Sequence, residues 1–89
     1  MAEFFMDVLP VQALAGTYRV VLLGHRQGAA PRIERITADE LLHRLQTVLQ
    51  WPKPTIDRLR DDLMKNGKLK NERLDSPTKE QLENLGFDV

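Results

Sequence analysis

Hydrophobic and polar residues are arranged along the chain in segments that predict both strands and helices. Residues 18–23 are almost wholly aliphatic, and a run of that kind is typical of a strand that is buried on both faces. Residues 4–11 are also mostly apolar, but Pro10 cannot donate a backbone hydrogen bond to a neighbouring strand. We therefore expect an N-terminal arm or edge strand within residues 1–16, followed by a single domain over residues 17–89.

The first predicted helix begins after Thr37. Residues 37–40 read Thr-Ala-Asp-Glu and fit a capping box, in which the Thr37 hydroxyl accepts from the Glu40 amide and the Glu40 carboxylate reaches back. The apolar residues that follow have helical spacing, and they are Leu41, Leu42, Leu45, Val48 and Leu49. Trp51 and the proline after it end this helix.

A second helix and a weak strand are predicted next. Thr55 is the expected N-cap of the helix, and Gly67 is placed to end it. Its apolar stripe is formed by Ile56, Leu59 and Leu63. Residues 68–74 contain only Leu69 and Leu74 to bury, and these fall on opposite faces of an extended chain. A strand here is expected at the edge of a sheet.

A third helix is predicted with Ser76 as its cap, Pro77 at its first position and Gly86 at its end. Residues 87–89 are expected to form a short final strand. The predicted fold is α+β with the order β-β-α-α-β-α-β, in which the two longer helices pack on one face of a small sheet.

Composition narrows the classes of function. The chain has 89 residues, 13 Lys+Arg against 13 Asp+Glu, and no cysteine. A zero net charge gives no global attraction to nucleic acid or to an anionic membrane. The absence of cysteine excludes disulfides, zinc–thiolate sites, iron–sulfur clusters and cysteine nucleophiles.

Few residues point to catalysis or ligand chemistry. Ser76 precedes a proline and is interpreted as a helix cap, and the glycine-bounded loop at residues 24–28 lacks the Gly-Lys-Ser/Thr ending of a phosphate-binding loop. His25 is interpreted as a solvated loop residue, with a general base as the alternative. His43 follows Asp39 by one helical turn, which predicts an exposed pair. We predict no enzymatic activity, no cofactor and no metal site.

The sequence contains no segment expected to cross a membrane. The longest aliphatic stretch, residues 20–23, is far shorter than the ~20 residues that a membrane-spanning helix needs. The N-terminal region carries acids where a signal peptide would carry Lys or Arg. A cytoplasmic location is therefore expected.

A winged-helix DNA-binding domain is the alternative fold. In that interpretation residues 55–65 form the recognition helix and residues 68–74 form a wing strand. Asp57, Asp61 and Asp62 on the same helix would oppose the phosphates, so nucleic acid is not the favoured partner.

The run Tyr-Arg-Val-Val-Leu-Leu-Gly over residues 18–24, followed by two helices, a weak strand and a third helix, resembles the fold shared by the Clp protease adaptor ClpS and the C-terminal domain of the ribosomal stalk protein. The adaptor's strand is similar, Tyr-Lys-Val-Val-Leu-Leu. Its Asn-Asp pair, which grasps a substrate's free N-terminus, is replaced here by Gly24 and His25, so that role does not carry over. The stalk signature is also missing from residues 52–59. The resemblance implies a shape and a general role in protein binding.

A non-catalytic protein–protein interaction module (an adaptor, a regulatory subunit or a component of a larger assembly) is the predicted function. The expected contact residues lie around the start and outer face of the second helix, and they are Trp51, Lys53, Arg58 and Lys65.

The N-terminal arm predicts a second contact, with another copy of the chain. A short apolar arm that cannot bury itself is able to add a strand to a second copy and form a homodimer. The residues expected to do so are Phe4, Phe5 and Met6.

Overall fold

The computed structural model describes residues 3–24 and 28–89 and shows a four-stranded antiparallel sheet with three helices. The elements in chain order are β1 (Phe4–Pro10), β2 (Thr17–Leu23), β3 (Arg32–Thr37), α1 (Ala38–Val48), α2 (Lys53–Asn66), β4 (Leu69–Leu74) and α3 (Lys79–Leu85). The predicted α+β class, with the longer helices on one face of the sheet, is confirmed. The sequence pattern predicted no strand at residues 32–37, but these residues form β3, and β1, β2 and β3 together make an antiparallel meander.

The strand order is β3-β2-β1-β4, so β1 lies inside the sheet. The expectation of an edge strand or arm was wrong for Phe4–Pro10, because this strand pairs with β2 on one side and β4 on the other. The register with β4 extends only as far as Val8. Pro10 comes after that point and pairs with Tyr18 of β2, so its missing amide leaves the ladder with β4 intact.

The hydrophobic core lies between the sheet and the helix layer. Met6, Val8, Val20 and Leu22 point from the two central strands towards the helices and are completely buried. The predicted helical stripes supply the other side of this core, with Leu41, Leu42 and Leu45 from α1 and Ile56, Leu59 and Leu63 from α2. Helix α1 contacts both α2 and α3, so it is the centre of the helix layer. Among the residues that the structure describes, no helix is long and apolar enough to cross a membrane.

Both edge strands contain a bulge, and each bulge brings two residues of opposite parity to the core. In β4, Glu72 pairs with Met6 and Leu69 pairs with Val8, so two residues of β4 oppose a single residue of β1. The extra residue turns Leu69 to the same side as Leu74, and both are buried. A second bulge, in β3 where it pairs with β2, brings Ile33 and Ile36 into the core in the same way.

Helix α1 begins as predicted, and α2 begins earlier than predicted. The amide of Glu40 donates to Thr37 Oγ1 over 3.2 Å, but the Glu40 carboxylate accepts from Arg44 and so completes no capping box. The predicted cap of α2, Thr55, lies inside the helix, because the Pro52 carbonyl already accepts hydrogen bonds from the following turn. Proline is tolerated in that first turn since the missing amide would have no helical partner there.

Helix α3 is capped by Thr78, so the prediction that Ser76 is its cap was wrong. Thr78 Oγ1 accepts from the Gln81 amide over 3.0 Å, and Gln81 Oε1 accepts from the Thr78 amide over 2.9 Å. This reciprocal pair satisfies two amides of the first turn, which a cap at Ser76 could not do. Helices α2 and α3 end at Gly67 and Gly86, as predicted.

The chain does not end in a strand. Phe87 is buried in the core, and Asp88 Oδ1 accepts a hydrogen bond of 2.7 Å from the amide of Arg32 in β3. A single side-chain contact therefore replaces the predicted pairing of residues 87–89. The winged-helix alternative also fails as architecture, because Leu69–Leu74 pairs with β1 in the main sheet and forms no separate wing.

Candidate protein-binding surface

Two of the four residues predicted to contact a partner, Trp51 and Arg58, line one cleft between the start of α2 and strand β4. The cleft has a volume of about 300 Å³ and is lined by Trp51, Pro52, Thr55, Arg58, Glu72, Arg73 and Asp75. Trp51 is half-buried and packs partly against the hydrophobic core. Its indole therefore has a structural role as well as an exposed edge.

Arg58 is held by two carboxylates. Its Nη1 lies 3.0 Å from Asp62 Oδ2 on the next turn of α2, and its Nη2 lies 3.1 Å from Glu72 Oε2 on β4. The hydrogen bond and charge of Glu72, with a smaller effect of Asp62, raise the pKa of the Arg58 guanidinium above its ordinary value. Arg58 thus joins α2 to the sheet, and a partner would have to compete for it.

Lys53 and Lys65 are exposed at opposite ends of α2. At 1.5 Å of rise per residue they are roughly 18 Å apart along the helix axis. The four predicted residues therefore do not form one compact site.

The predicted dimer arm is divided between the two faces of the sheet. Met6 is completely buried in the core, Phe4 packs on the same side, and Phe5 points to the opposite, outer face. Because both edges of β1 are already paired, this segment is not a free arm that adds a strand to another copy. Only Phe5 of the three remains available to a surface.

The outer face of the sheet, which none of the three described helices covers, carries an apolar strip along its two central strands. Strand register places Phe5 beside Leu23, and Leu9 comes further along β1 on the same face with Val21 between them on β2. All four side chains are half-buried, and none belongs to the core cluster. We call these residues, Phe5, Leu9, Val21 and Leu23, the apolar strip. The prediction that β2 is buried on both faces was wrong, since Val21 and Leu23 face outwards.

A buried carboxylate interrupts the apolar strip. Asp7 lies on the outer face opposite Val21, with only 12% of its side chain exposed. Its Oδ1 accepts a 2.8 Å hydrogen bond from the amide of Asn71, and its Oδ2 lies 3.2 Å from Lys70 Nζ. Both partners belong to the bulge of β4, so Asp7 is committed to holding that bulge.

Basic side chains border the apolar strip on both sides. Arg73 is the register partner of Phe5 on β4, and Arg32 is the register partner of Val21 on β3. We call the four basic residues around the strip, Arg19, Arg32, Lys70 and Arg73, the basic rim. Three of them pair with acids on or beside the same face: Arg19 with Glu34 over 3.2 Å, Lys70 with Asp7 over 3.2 Å, and Arg73 with both Glu3 over 3.4 Å and Asp75 over 3.6 Å.

A cavity lies at one end of the apolar strip. It has a volume of about 340 Å³ and is lined by Leu9, Pro10, Val11, Gln12 and Arg19. Because Leu9 and Arg19 are register partners on the outer face, this cavity continues the strip past the end of β1. Its size is sufficient to receive a large side chain of a partner.

The residues considered for catalysis form no assembled site in the part of the chain that the structure describes. Asp39 pairs with Arg60 of α2 and leaves its expected partner His43 exposed. No group of three or more His, Cys, Asp or Glu residues able to hold a metal is found within residues 3–24 and 28–89. His25 lies outside the described residues.

Sequence patterns missed the apolar strip because every residue from 20 to 23 is aliphatic. Alternation carries no signal in such a run, so the side chains that face solvent look the same as those that face the core. The available clue was Asp7, whose position between Phe5 and Leu9 indicates that this face of β1 differs from a closed core.

Comparisons of the chain with protein-family models, curated proteins and solved structures found no match.

Proposed function

We propose that this protein is a non-catalytic protein-binding module whose binding surface is the apolar strip on the outer face of the sheet. The observation that carries the proposal is the one-sided packing of the fold. All three helices lie on one side, and the opposite side presents four apolar side chains at positions that an open antiparallel sheet ordinarily gives to polar residues.

Covering the apolar strip would be energetically favourable. Burying a Val, Leu or Phe side chain completely is worth about 1.5–3 kcal/mol relative to full exposure. Because most of each strip side chain is already buried, covering the remainder contributes roughly 0.5 kcal/mol for each side chain. The basic rim gives the surface the apolar centre and polar border that are typical of protein interfaces.

The predicted surface around α2 is less suited to this role. Its aromatic residue, Trp51, already packs against the core, and its central cation, Arg58, is held by two carboxylates. Binding there would first break contacts that join α2 to β4. Covering the four apolar side chains of the strip breaks no ion pair.

Introducing a carboxylate into the apolar strip is expected to abolish binding to the native partner. In affinity capture from the native source followed by mass spectrometry, Leu23→Glu and Leu9→Glu should each lose at least about 90% of the proteins retained by the wild type. The reason is that an unpaired buried charge costs more than the 1.4 kcal/mol that a tenfold loss of affinity requires.

Met64→Glu is the matched control, because Met64 is a large apolar residue with 79% exposure on α2, away from the strip. Its captured proteins should equal those of the wild type. Melting curves of all variants establish that they are folded. If both strip variants fold and retain the same proteins as the control, the proposal is wrong. Reproducible turnover of a small molecule by the purified chain would contradict its non-catalytic character.

No affinity for duplex DNA is expected. The winged-helix interpretation uses the cations of α2 against phosphate, but Arg58 pairs with Asp62 and Glu72, and Arg60 pairs with Asp39. A mobility-shift assay at about 20 mM salt, where phosphate contacts are strongest, should show free duplex at every protein concentration. A shift that weakens steeply as salt is added would support DNA binding instead.

A further inference from the structure

We infer that Asn66, at the end of α2, is a site of spontaneous covalent modification, and that the last turn of this helix sets the rate of the reaction. The modification is deamidation, which converts the side-chain amide of asparagine, a thermolabile group, into a carboxylate. Asn66 belongs to the helix layer and is not part of the apolar strip. The inference therefore stands independently of the proposed binding surface.

The sequence distinguishes Asn66 from the other two asparagines. Deamidation of this kind begins when the backbone nitrogen of the following residue attacks the asparagine side chain, and a side chain on that following residue hinders the attack. Asn66 is followed by Gly67, which has no side chain, whereas Asn71 is followed by a glutamate and Asn84 by a leucine. Asn66 is therefore the asparagine whose local chemistry favours the reaction.

The reaction needs only water and hydroxide. The Gly67 nitrogen loses its proton to hydroxide and forms a bond to Cγ of Asn66, while the bond from Cγ to Nδ2 breaks and ammonia leaves with a proton taken from water. The product is a five-membered cyclic imide. Water then adds to one of its two carbonyl carbons. Addition at Cγ restores the normal chain with aspartate, and addition at the main-chain carbon leaves the chain running through Cγ, as isoaspartate.

The folded backbone opposes the first step. The Gly67 amide donates a 2.8 Å hydrogen bond to the carbonyl oxygen of Leu63, so the proton that must leave is engaged in the cap of the helix. Asn66 is helical, and a ψ of about −42° holds the Gly67 nitrogen out of the plane that ring closure requires. Cyclisation therefore has to wait until the last turn of α2 opens.

The contacts of this turn indicate that it opens locally. Leu63 is its buried anchor, but Met64, Lys65 and Asn66 are all exposed. The Asn66 side chain has no hydrogen-bond partner in the part of the chain that the structure describes. Helix ends open with free energies well below that of global unfolding. Asn66 is therefore modified in the folded protein, at a rate reduced by the fraction of time for which the turn is open.

Isoaspartate at this position would disturb the junction between α2 and β4. It adds one methylene group to the main chain, and only two residues, Gly67 and Lys68, connect the helix to the strand. Leu63 and Leu69 are buried on either side of this connection, so little movement is available to absorb the added length. The new carboxylate also lies at the negative end of the helix dipole. The modified protein is therefore less stable than the original.

Peptide mapping by mass spectrometry tests the inference on the wild-type chain, incubated folded and in denaturing urea at the same mildly alkaline pH. Deamidation adds one dalton, and an isoaspartate-specific methyltransferase identifies the isoaspartate. Asn66 should convert in both samples, about tenfold more slowly in the folded one, because opening the turn loses roughly one net hydrogen bond. Asn71 and Asn84 should remain unmodified over the same period. Asn66→Gln is the matched control and should not convert, since its longer side chain would have to close a six-membered ring.

Two variants distinguish local opening from global unfolding. Lys65→Gly weakens the last turn at an exposed position and should accelerate conversion in the folded protein about fivefold. Gly16→Ala lies in the connection between β1 and β2 and lowers the stability of the whole fold, since only its positive φ opposes the new side chain. It should convert Asn66 at the wild-type rate. Dividing each folded rate by the rate of the same variant in urea removes direct effects of the substitution on the chemistry.

Three results would overturn the inference. Equal rates in folded and unfolded wild type would show that the turn does not control the reaction. A folded protein that never converts, while the unfolded chain does, would show that the turn does not open locally. Equal acceleration by Gly16→Ala and Lys65→Gly would assign conversion to global unfolding. The melting temperature should also fall as wild type accumulates isoaspartate and stay constant in Asn66→Gln; identical behaviour of the two would contradict the proposed effect on the junction.

Discussion

Replacing Asp7 with alanine is expected to lower the free energy of unfolding by about 2–3 kcal/mol. Asp7 is the most buried acid of the sheet, and its carboxylate binds both the amide of Asn71 and the ammonium of Lys70. Alanine would leave that amide without its acceptor in a part-buried position. The amide belongs to a residue with φ of +57°, so the bulge of β4 would lose the contact that holds its unusual backbone. Urea unfolding followed by circular dichroism measures the loss.

Two further variants show whether the loss of stability in Asp7→Ala comes from the loss of this particular carboxylate. Asp7→Asn keeps an oxygen for the Asn71 amide and loses the charge opposite Lys70, so about half of the destabilisation is expected. Glu34→Ala removes an exposed acid of the same face, which pairs with Arg19, and should cost less than about 1 kcal/mol. Amide exchange at Asn71 should accelerate in Asp7→Ala. Equal stabilities of Asp7→Ala and Glu34→Ala would show that the carboxylate does not hold the bulge.

The bulge of β4 explains why the sequence predicted an edge strand here but not the burial of both of its leucines. Residues 68–74 were correctly predicted to form an edge strand because they have few apolar residues to bury. Their two leucines have opposite parity, which in a regular strand places one of them in solvent. The single extra residue at Lys70 and Asn71 removes that conflict, but it depends on Asp7, which is distant along the chain. The pattern of apolar and polar residues within one strand contains no information about such a contact with another strand.

Local signals located the helices well and their first residues less well. The stripes of α1 and α2 are periodic over several turns, so their buried faces were predicted correctly. At the start of α3, Ser76 and Thr78 both offer a hydroxyl at a plausible cap position. The choice of Thr78 depends on the side chain of Gln81 and on the backbone of Ser76, whose φ of +40° differs from the extended conformation of an N-cap. Backbone conformation is a property of the fold and was not available to a local rule.

The position of β1 in the sheet had the largest consequence for the candidate site. Pro10 indicated an edge strand, and that prediction led to the idea of a free arm with Phe4, Phe5 and Met6. The structure places β1 between β2 and β4. Phe4 and Met6 therefore face the core, and Phe5 belongs to the apolar strip. Strand order follows from long-range pairing, so the surface that we propose for binding was visible only once the sheet was assembled.

Substituting Gly24 with alanine is expected to destabilise the fold by about 3 kcal/mol or more, through a clash as well as an unfavourable backbone conformation. Gly24 has φ of +98°, and a Cβ built there would lie 2.3 Å from the carbonyl oxygen of Glu3. A backbone atom cannot move aside as a flexible side chain can, so the start of β1 would be displaced from β2. The positive φ alone costs an L-residue roughly 1–2 kcal/mol.

Gly16→Ala separates the two causes, because Gly16 has φ of +81° and a Cβ there would meet no atom within 4 Å. It should therefore lose only the conformational part, about 1–2 kcal/mol, in the same urea titration. Gly24→Ala should also shift the amide resonances of Phe4 and Phe5, whose strand begins beside it, whereas Gly16→Ala should not. If the two variants are equally stable, the close approach of Glu3 to Gly24 does not constrain β1. The excess loss in Gly24→Ala measures how firmly the end of β2 holds the strand that supplies half of the apolar strip.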